Sequence, residues 1–412
     1  MDNYGKAWVV AVNMGYGHQR TAEPLKDIAP RGKVINANDY PGIPKKDRKI
    51  WETARRFYEA VSKFKKIPLV GEGVFSFYDK FQKIPSFYPR RDLSRPTFGL
   101  KKIFSLIKRG WGRDLISKLK QNSLPLITTF FTPAFMAEFF DYPGEIFCVI
   151  CDADISRSWV SLEPKKSRIK YFAPNSWTVN RLELYGVKEE NIFLTGYPLP
   201  GIDLRDALKN RLLNLDPKKE YFSKYRILIK EILGELPEKS NHILTIMFSI
   251  GGAGAQKEIG LKIIEALKNK IANREIKIIL AVGIRKDVKY YFEKKVKGAE
   301  VIFNDNINDY FTRFNQKLKT TDILWTKPSE LSFYCGLGLP IIMTPSLGSQ
   351  EDFNRKWLLS LGAGVDQENP KYAAHWLFDY LESGRLAEAA MQGFIEAEKS
   401  GTYNIKEIIS LR

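Results

Sequence analysis

The sequence predicts an α/β protein built as two parallel-sheet halves. Three observations carry that prediction. The chain has 412 residues, too many for one ordinary hydrophobic core and enough for two domains of roughly 200 residues each. Short apolar runs alternate with helical stretches twice over, from residue 7 to about 195 and again from 243 to 343, as parallel strands joined by crossover helices require. A glycine-rich loop follows the first strand of each half, at 15–17 and at 251–254.

The elements follow in order. Residues 7–13 are apolar almost throughout and read as a buried strand. Met14 to His18 make a tight loop, and Gln19 to Ala29 read as a helix stopped by Pro30. Lys33 to Asn36 give a second strand. Between 49 and 121 the order weakens, with helical stretches at 49–64 and 100–121 around a segment rich in Phe, Tyr and Pro. Strands resume at 124–129 and 145–150, a helix runs from Ser176 to Tyr185, and 191–195 is a further strand. Gly196 to Gly201 hold two prolines and mark a break.

Residues 203–236 are charged and helix-like. A fresh pattern opens at 243–249, with strands at 276–282, 300–303 and 322–325 and helices between, one of them over 256–271. Ile323–Trp325 and Leu339–Met343 are each followed by a polar loop, 327–330 and 346–352. Neighbouring parallel strands hold such loops at their carboxyl ends, where open α/β sheets bind ligands. Glu330, Gln350 and Glu351 would then converge on a ligand with many hydroxyls. The expected division is a domain over 1–200 with an insert at about 45–118, a connector and helical insertion over 201–240, and a second domain over 241–385. A C-terminal helix and tail, 386–412, are placed to pack back on the first domain.

Composition narrows the function classes. No apolar run approaches the ~20 residues that span a bilayer. The start of the chain lacks a basic segment followed by an apolar one, and three cysteines make no disulfide framework. A cytoplasmic protein is expected. Cys148 and Cys151 form a CxxC inside a strand, where residues three apart point to opposite faces, so neither redox nor metal chemistry is expected of them. The formal net charge is +18. Residues 45–118 carry 20 Lys/Arg, 7 Asp/Glu and 13 aromatics. Within them, Ile103, Phe104, Leu106, Ile107 and Trp111 can share one face flanked by Lys101, Lys102, Lys108 and Arg109. That is the pattern of an interfacial helix on an anionic membrane, and it equally suits a cationic surface over a core helix. Lys63 to Val70 and Phe87 to Arg91 continue the basic-aromatic character. No recognition module for nucleic acid accompanies the charge.

Four loops carry candidate chemistry. Gly15 and Gly17 let the first loop bring backbone amides to a ligand. His18, one of three histidines, stands where a general base would stand; an ordinary strand-to-helix turn with an incidental histidine has the same pattern. Gly251, Gly252 and Gly254 leave room for a diphosphate beside a helix start, or make a tight turn. Asp152 and Asp154 form a DxD that reads as a metal site, as a carboxylate orienting the histidine or an acceptor, or as a capped turn. With no further carboxylate cluster, no metal is expected. The spacing at 15–17 is not that of a dinucleotide fingerprint.

Taken together, these motifs resemble the GT-B glycosyltransferases that include monogalactosyldiacylglycerol synthases, processive diacylglycerol glucosyltransferases and the peptidoglycan GlcNAc transferase. The resemblance covers roughly 7–30 and 124–365. It rests on the Gly15-Tyr16-Gly17-His18 loop, the segment 172–198, the glycines at 251–254, and the block from Lys327 through Gly336–Pro340 to Asn354. It implies two Rossmann-like domains facing each other across a cleft. It implies an inverting transfer of sugar from a nucleotide-sugar, usually a UDP-sugar, to a membrane-associated lipid acceptor, with no cofactor or metal. His18 would be the base, and Asp152 would orient it or the acceptor. Gly251, Gly252 and Gly254 would face the diphosphate, with Ser329, Glu330, Gln350, Glu351 and Asn354 on the donor. Gly15 and Gly17 would line the acceptor side, and the 45–118 insert would lie peripherally on the inner face of the membrane. Two departures stand out. The acidic residue expected after the 327–330 loop is absent, Phe333 or Tyr334 occupying its place, and Glu330 is the candidate substitute. The family's second histidine, after Asp152, is missing. A UDP-sugar 2-epimerase on the same fold, or a non-catalytic relative binding membrane or polyanion, are the alternatives.

Overall fold

Two six-stranded sheets, parallel throughout, organise the chain in the computed structural model, which describes residues 5–64, 83–201, 204–252, 254 and 256–412. The chain divides into two compact units. The first comprises Met1–Pro200, Leu347–Asn354 and Glu398–Arg412, and the second Gly201–Ser346 and Arg355–Ala397.

The first unit holds β1 (Trp8–Ala11), β2 (Ile35–Asn36), β3 (Leu126–Thr128), β4 (Ile146–Val149), β5 (Lys170–Ala173) and β6 (Ile192–Leu194), in the order β2-β1-β3-β4-β5-β6. The chain leaves β1 for β2 on one side and returns to β3 on the other. The switch point of this sheet therefore lies between β1 and β3. Val9, Ala11, Ile127, Phe147, Val149 and Phe172 fill its core, joined by Ile405 and Ile409 from the last helix, Gly401–Ser410. Strands buried on both faces explain the unbroken apolar runs.

Several elements differ from expectation. The helix after β1 spans Tyr16–Ala22 only, because Pro24 opens a 3₁₀ turn at Glu23–Leu25. The 100–121 stretch is two helices, Phe98–Lys108 and Arg113–Leu119, parted by Gly110 and Gly112 with φ of +97° and +84°. Its apolar face turns inward. Phe104 and Ile107 are buried, Trp111 is buried against Trp51, and Phe104 meets Phe135 at a ring separation of 5.0 Å. The interfacial-helix reading of 101–113 is thereby corrected: this is a core helix with a cationic outer face. Of Lys63 to Val70, all but the last helical residues of Lys45–Phe64 lie outside the described residues. Strand β5 and the helix Phe131–Phe139 had no counterpart in the sequence reading.

The second unit holds β7 (Leu244–Ser249), β8 (Ile276–Gly283), β9 (Glu300–Phe303), β10 (Ile323–Thr326), β11 (Ile341–Met343) and β12 (Gly364–Asp366), in the order β12-β11-β10-β7-β8-β9. That is the doubly wound Rossmann order, with its switch point between β7 and β10. Both sheets are Rossmann-like. The segment 330–337 is a 3₁₀ helix, ended by Gly338. Helices Arg205–Leu215 and Glu220–Leu233 pack Leu208, Leu212, Tyr221 and Ile229 into this unit's core.

Candidate functional site

Ligands in open α/β sheets sit beyond the carboxyl ends of the strands that flank the switch point. In the first unit those strands are β1 and β3, and the loops that follow them meet through one histidine. Gly15, at φ +108°, turns the chain into the helix Tyr16–Ala22. His18 Nδ1 lies 2.8 Å from the Thr129 carbonyl oxygen, and Thr129 Oγ1 donates to the His18 carbonyl at 2.9 Å. A carbonyl only accepts, so Nδ1 carries the proton and Nε2 is left with the basic lone pair. Phe130 packs edge-on to the imidazole at 4.8 Å, and Trp159 lies at 6.3 Å. Cys151 Sγ is 3.4 Å from Nδ1.

The neighbouring loop, after β4, divides the DxD. Asp154 forms a two-pronged ion pair with Arg181, 2.8 Å on each prong, and both side chains are buried. Thr178 donates to the Ala153 carbonyl and Tyr185 to that of Ile155. Asp154 is therefore part of the loop's anchorage. Asp152 is half-buried between buried Cys151 and Ala153, and its Oδ1 accepts from Asn354 Nδ2 at 3.0 Å. Asn354 Oδ1 in turn accepts from the Ala153 amide at 2.7 Å. Gln350 and Glu351 belong to the same segment of this unit. The Glu351 carboxylate accepts the Leu347 amide at 2.7 Å and so shapes its own loop. Among the described residues no group of three or more His, Cys, Asp or Glu could hold a metal ion.

Beside the β1 loop, a pocket of about 150 Å³ lies past the ends of β1 and β2, lined by Asn13, Asn38, Arg48, Trp51, Glu52 and Arg55 among others. Asn13 and Asn38 clamp its floor with a reciprocal amide pair at 2.9 and 3.0 Å. Arg48 stands 3.7 Å from Asp39.

The second unit repeats the logic at β7 and β10. Gly251 and Gly252 follow β7, and Gly254 takes φ +66°. The stem of Lys327, just past β10, lies against Gly251, where a Cβ would meet its Cε at 2.9 Å. Arg285, past β8, is held by Asp287 at 2.7–2.8 Å and points Nη1 toward the Gly252 carbonyl at 3.4 Å. Gln256 ties the loop down by donating to the Pro345 carbonyl and accepting from Thr344, both at 2.7 Å. Ser329 stands at the N-cap of the 3₁₀ helix and Glu330 is its first residue. Glu330 falls in the second unit, whereas Gln350 and Glu351 fall in the first.

Thr129, Cys151, Arg285 and Lys327 join these candidate sites without having been singled out from the sequence. Only Lys327 had a signal, being a cation directly after an apolar strand. The others become neighbours through strand order.

A family profile described as "Domain of unknown function (DUF6938)" matches residues 237–318. A comparison with curated proteins finds no match. Among solved structures, the chain is similar to MurG of Acinetobacter baumannii, at 12% identity over 86% of this chain and 96% of that one, with a TM-score of 0.45. A UDP-GlcNAc 2-epimerase from Neisseria meningitidis, bound to UDP-GlcNAc, shares 12% identity over 77% and 83%, at 0.45. UGT2 of Phytolacca americana, complexed with UDP-2fluoro-glucose and pterostilbene, shares 9% over the full length of both, at 0.47. At these identities and scores the likenesses carry no chemistry over to this chain.

Proposed function

We propose that the protein is an inverting glycosyltransferase that moves a sugar from a nucleotide-sugar, a UDP-sugar in the first instance, to a membrane-associated lipid acceptor. One observation carries the reading: a histidine at a sheet's switch point whose Nδ1–H is committed to a main-chain carbonyl, with Nε2 left as a base. In the reaction, His18 Nε2 takes the acceptor's hydroxyl proton as that oxygen attacks the anomeric carbon. The bond from that carbon to the diphosphate oxygen breaks, and the nucleoside diphosphate leaves with the electron pair. Attack from the opposite face inverts the centre. Such a base contributes ~10²–10⁴ in rate.

The leaving diphosphate would lie along Gly251, Gly252 and Gly254. Lys327, against Gly251, and Arg285, toward Gly252, would supply positive charge that develops no reorganisation cost as the phosphate charge grows. No metal enters the scheme, so transfer should survive EDTA. Gln350 and Glu351 are the proposed partners of sugar hydroxyls. The acceptor would approach past Asn13, Arg48 and Arg55. For attachment to an anionic inner leaflet, the exposed Tyr88 and Phe98 stand among Arg90, Arg91, Lys101 and Lys102, and each such cation near the surface adds ~1 kcal/mol. Among the described residues no helix is long and apolar enough to cross a membrane.

The test is to incubate the protein with UDP-sugars, with and without diacylglycerol-type acceptors in liposomes, and to follow glycolipid and released UDP. Wild type should form the glycoside and His18→Ala should lose at least about a hundredfold in turnover. Full transfer by His18→Ala would sink the mechanism. Epimerised UDP-sugar with no acceptor present would replace it with the 2-epimerase reaction. Equal and negligible sedimentation with anionic and neutral liposomes would remove the membrane partner.

A further inference from the structure

We propose that Asn354 is a positioning residue for the reacting centre and contacts no part of the donor. The inference rests on the reading of His18 as the base. Family resemblance puts Asn354 among the groups that meet ribose and sugar hydroxyls, and its surroundings argue otherwise. Asn354 has 0% exposure. Its Nδ2 donates to Asp152 Oδ1 at 3.0 Å and its Oδ1 accepts the Ala153 amide at 2.7 Å. An amide engaged at both ends, with no accessible surface, offers nothing to a hydroxyl in a binding site.

What it does hold is a carboxylate. An N–H directed at Oδ1 fixes the rotamer of Asp152. That rotamer turns Oδ2 toward the Cys151 thiol, 4.0 Å away and at the outer limit of a sulfur hydrogen bond. Cys151 Sγ lies 3.4 Å from His18 Nδ1, the same nitrogen that donates to Thr129. The contacts therefore run Asn354, Asp152, Cys151, His18. When His18 Nε2 takes the acceptor's proton, positive charge spreads over the ring. Asp152 is the anion on the Nδ1 side, and Asn354 keeps it there. No proton passes along the series; Asn354 and Asp152 act through field and orientation alone.

The arrangement separates binding from turnover. Asn354→Ala should bind UDP, measured by isothermal titration, within about threefold of wild type. Its turnover should fall ~10–100-fold, the range for a lost hydrogen bond to a charged group, with the donor KM within about threefold. Asn354→Asp, which sets a second carboxylate against Asp152, should fall further. If Asn354→Ala fails to fold, Asp152→Asn probes the same pair from the other side, with lost turnover and unchanged UDP affinity expected. A tenfold loss of UDP affinity with turnover kept would make Asn354 a donor ligand and overturn the proposal. So would unchanged kinetics in Asn354→Ala, provided His18→Ala loses turnover, and in that case the base assignment stands. A wild-type protein as slow as His18→Ala removes the base and this inference with it.

Discussion

Replacing Asp154 with Asn should unfold the first unit at a much lower temperature without touching any metal requirement. The pair it breaks, Asp154 with Arg181, is 2% and 0% exposed. The guanidinium lies at 5.2 Å from the Phe87 ring and 5.8 Å from that of Tyr185, and its Nη1 finds no hydrogen-bond partner among the described residues. Asp154→Asn keeps the shape but leaves a buried cation without its counter-charge. Removing one member of such a pair costs about 3–5 kcal/mol. For a unit of this size each kcal/mol lowers Tm by roughly 2–4 °C, so a fall of ~6–20 °C is expected. Asp154→Leu combined with Arg181→Met should recover most of it, since a well-packed apolar pair replaces a buried ion pair at little or no cost. The assay is thermal and urea unfolding with and without millimolar Mn²⁺ or Mg²⁺. A variant that melts within about 2 °C of wild type while losing a Mn²⁺-dependent transfer activity would refute the structural role and restore the DxD as a metal site.

Thr129→Val removes the hydroxyl that donates to the His18 carbonyl. A loss of about 0.5–1.5 kcal/mol in urea unfolding is expected, with a drop in turnover that Thr129→Ser rescues. At Gly401 a Cβ would lie 2.3 Å from the Tyr197 carbonyl oxygen and 2.4 Å from that of Gly196. Gly401→Ala should therefore cost about 1–3 kcal/mol and open the last helix to limited proteolysis. Burial pushes the Glu300 carboxyl up, but hydrogen bonds from Lys317 and Lys277 more than offset it and hold the group below its ordinary range. A lowered carboxyl contributes stability above its unfolded pKa of ~4.3 and loses it as pH falls through the folded value. Glu300→Gln should thus be less stable by under ~1 kcal/mol at pH 7, half-exposed pairs being weak, and in acid unfolding curves the difference should begin to shrink below about pH 4.3 and vanish only once the folded carboxyl is itself protonated.

Strand after strand was legible because burial on both faces writes a continuous apolar run, as in Ile278 to Val282 or Trp8 to Ala11. What periodicity could not supply was direction. The face made of Phe104, Ile107 and Trp111 has the same pattern whether it meets lipid or Phe135, and only the packing partner, distant in sequence, decides. The helix boundary at Ala22 failed for a local reason, Pro24. His18, in the first turn of its helix, and the loop residues Asp152 and Gly251 could be picked out because glycine and a lone titratable group after a strand are visible in order along the chain. Thr129 and Cys151 could not, because they reach His18 only through the pairing of β1 with β3 and β3 with β4. The two aspartates of the DxD look alike in sequence. Arg181, 27 residues away from Asp154, distinguishes them.

The first unit is stitched from three separate stretches of chain, and its last stretch carries a timing cost. Ile405 and Ile409 complete the core around Ala7, Val9 and Leu25, and the Gly5 amide donates to Ser410 Oγ. On the ribosome, the amino-terminal 200 residues emerge with that side of their sheet uncovered. At ~5–20 residues per second the covering helix follows ~10–40 s later. During that interval an apolar surface stands open to chaperones, proteases and other nascent chains, and the second unit can finish folding before the first one does.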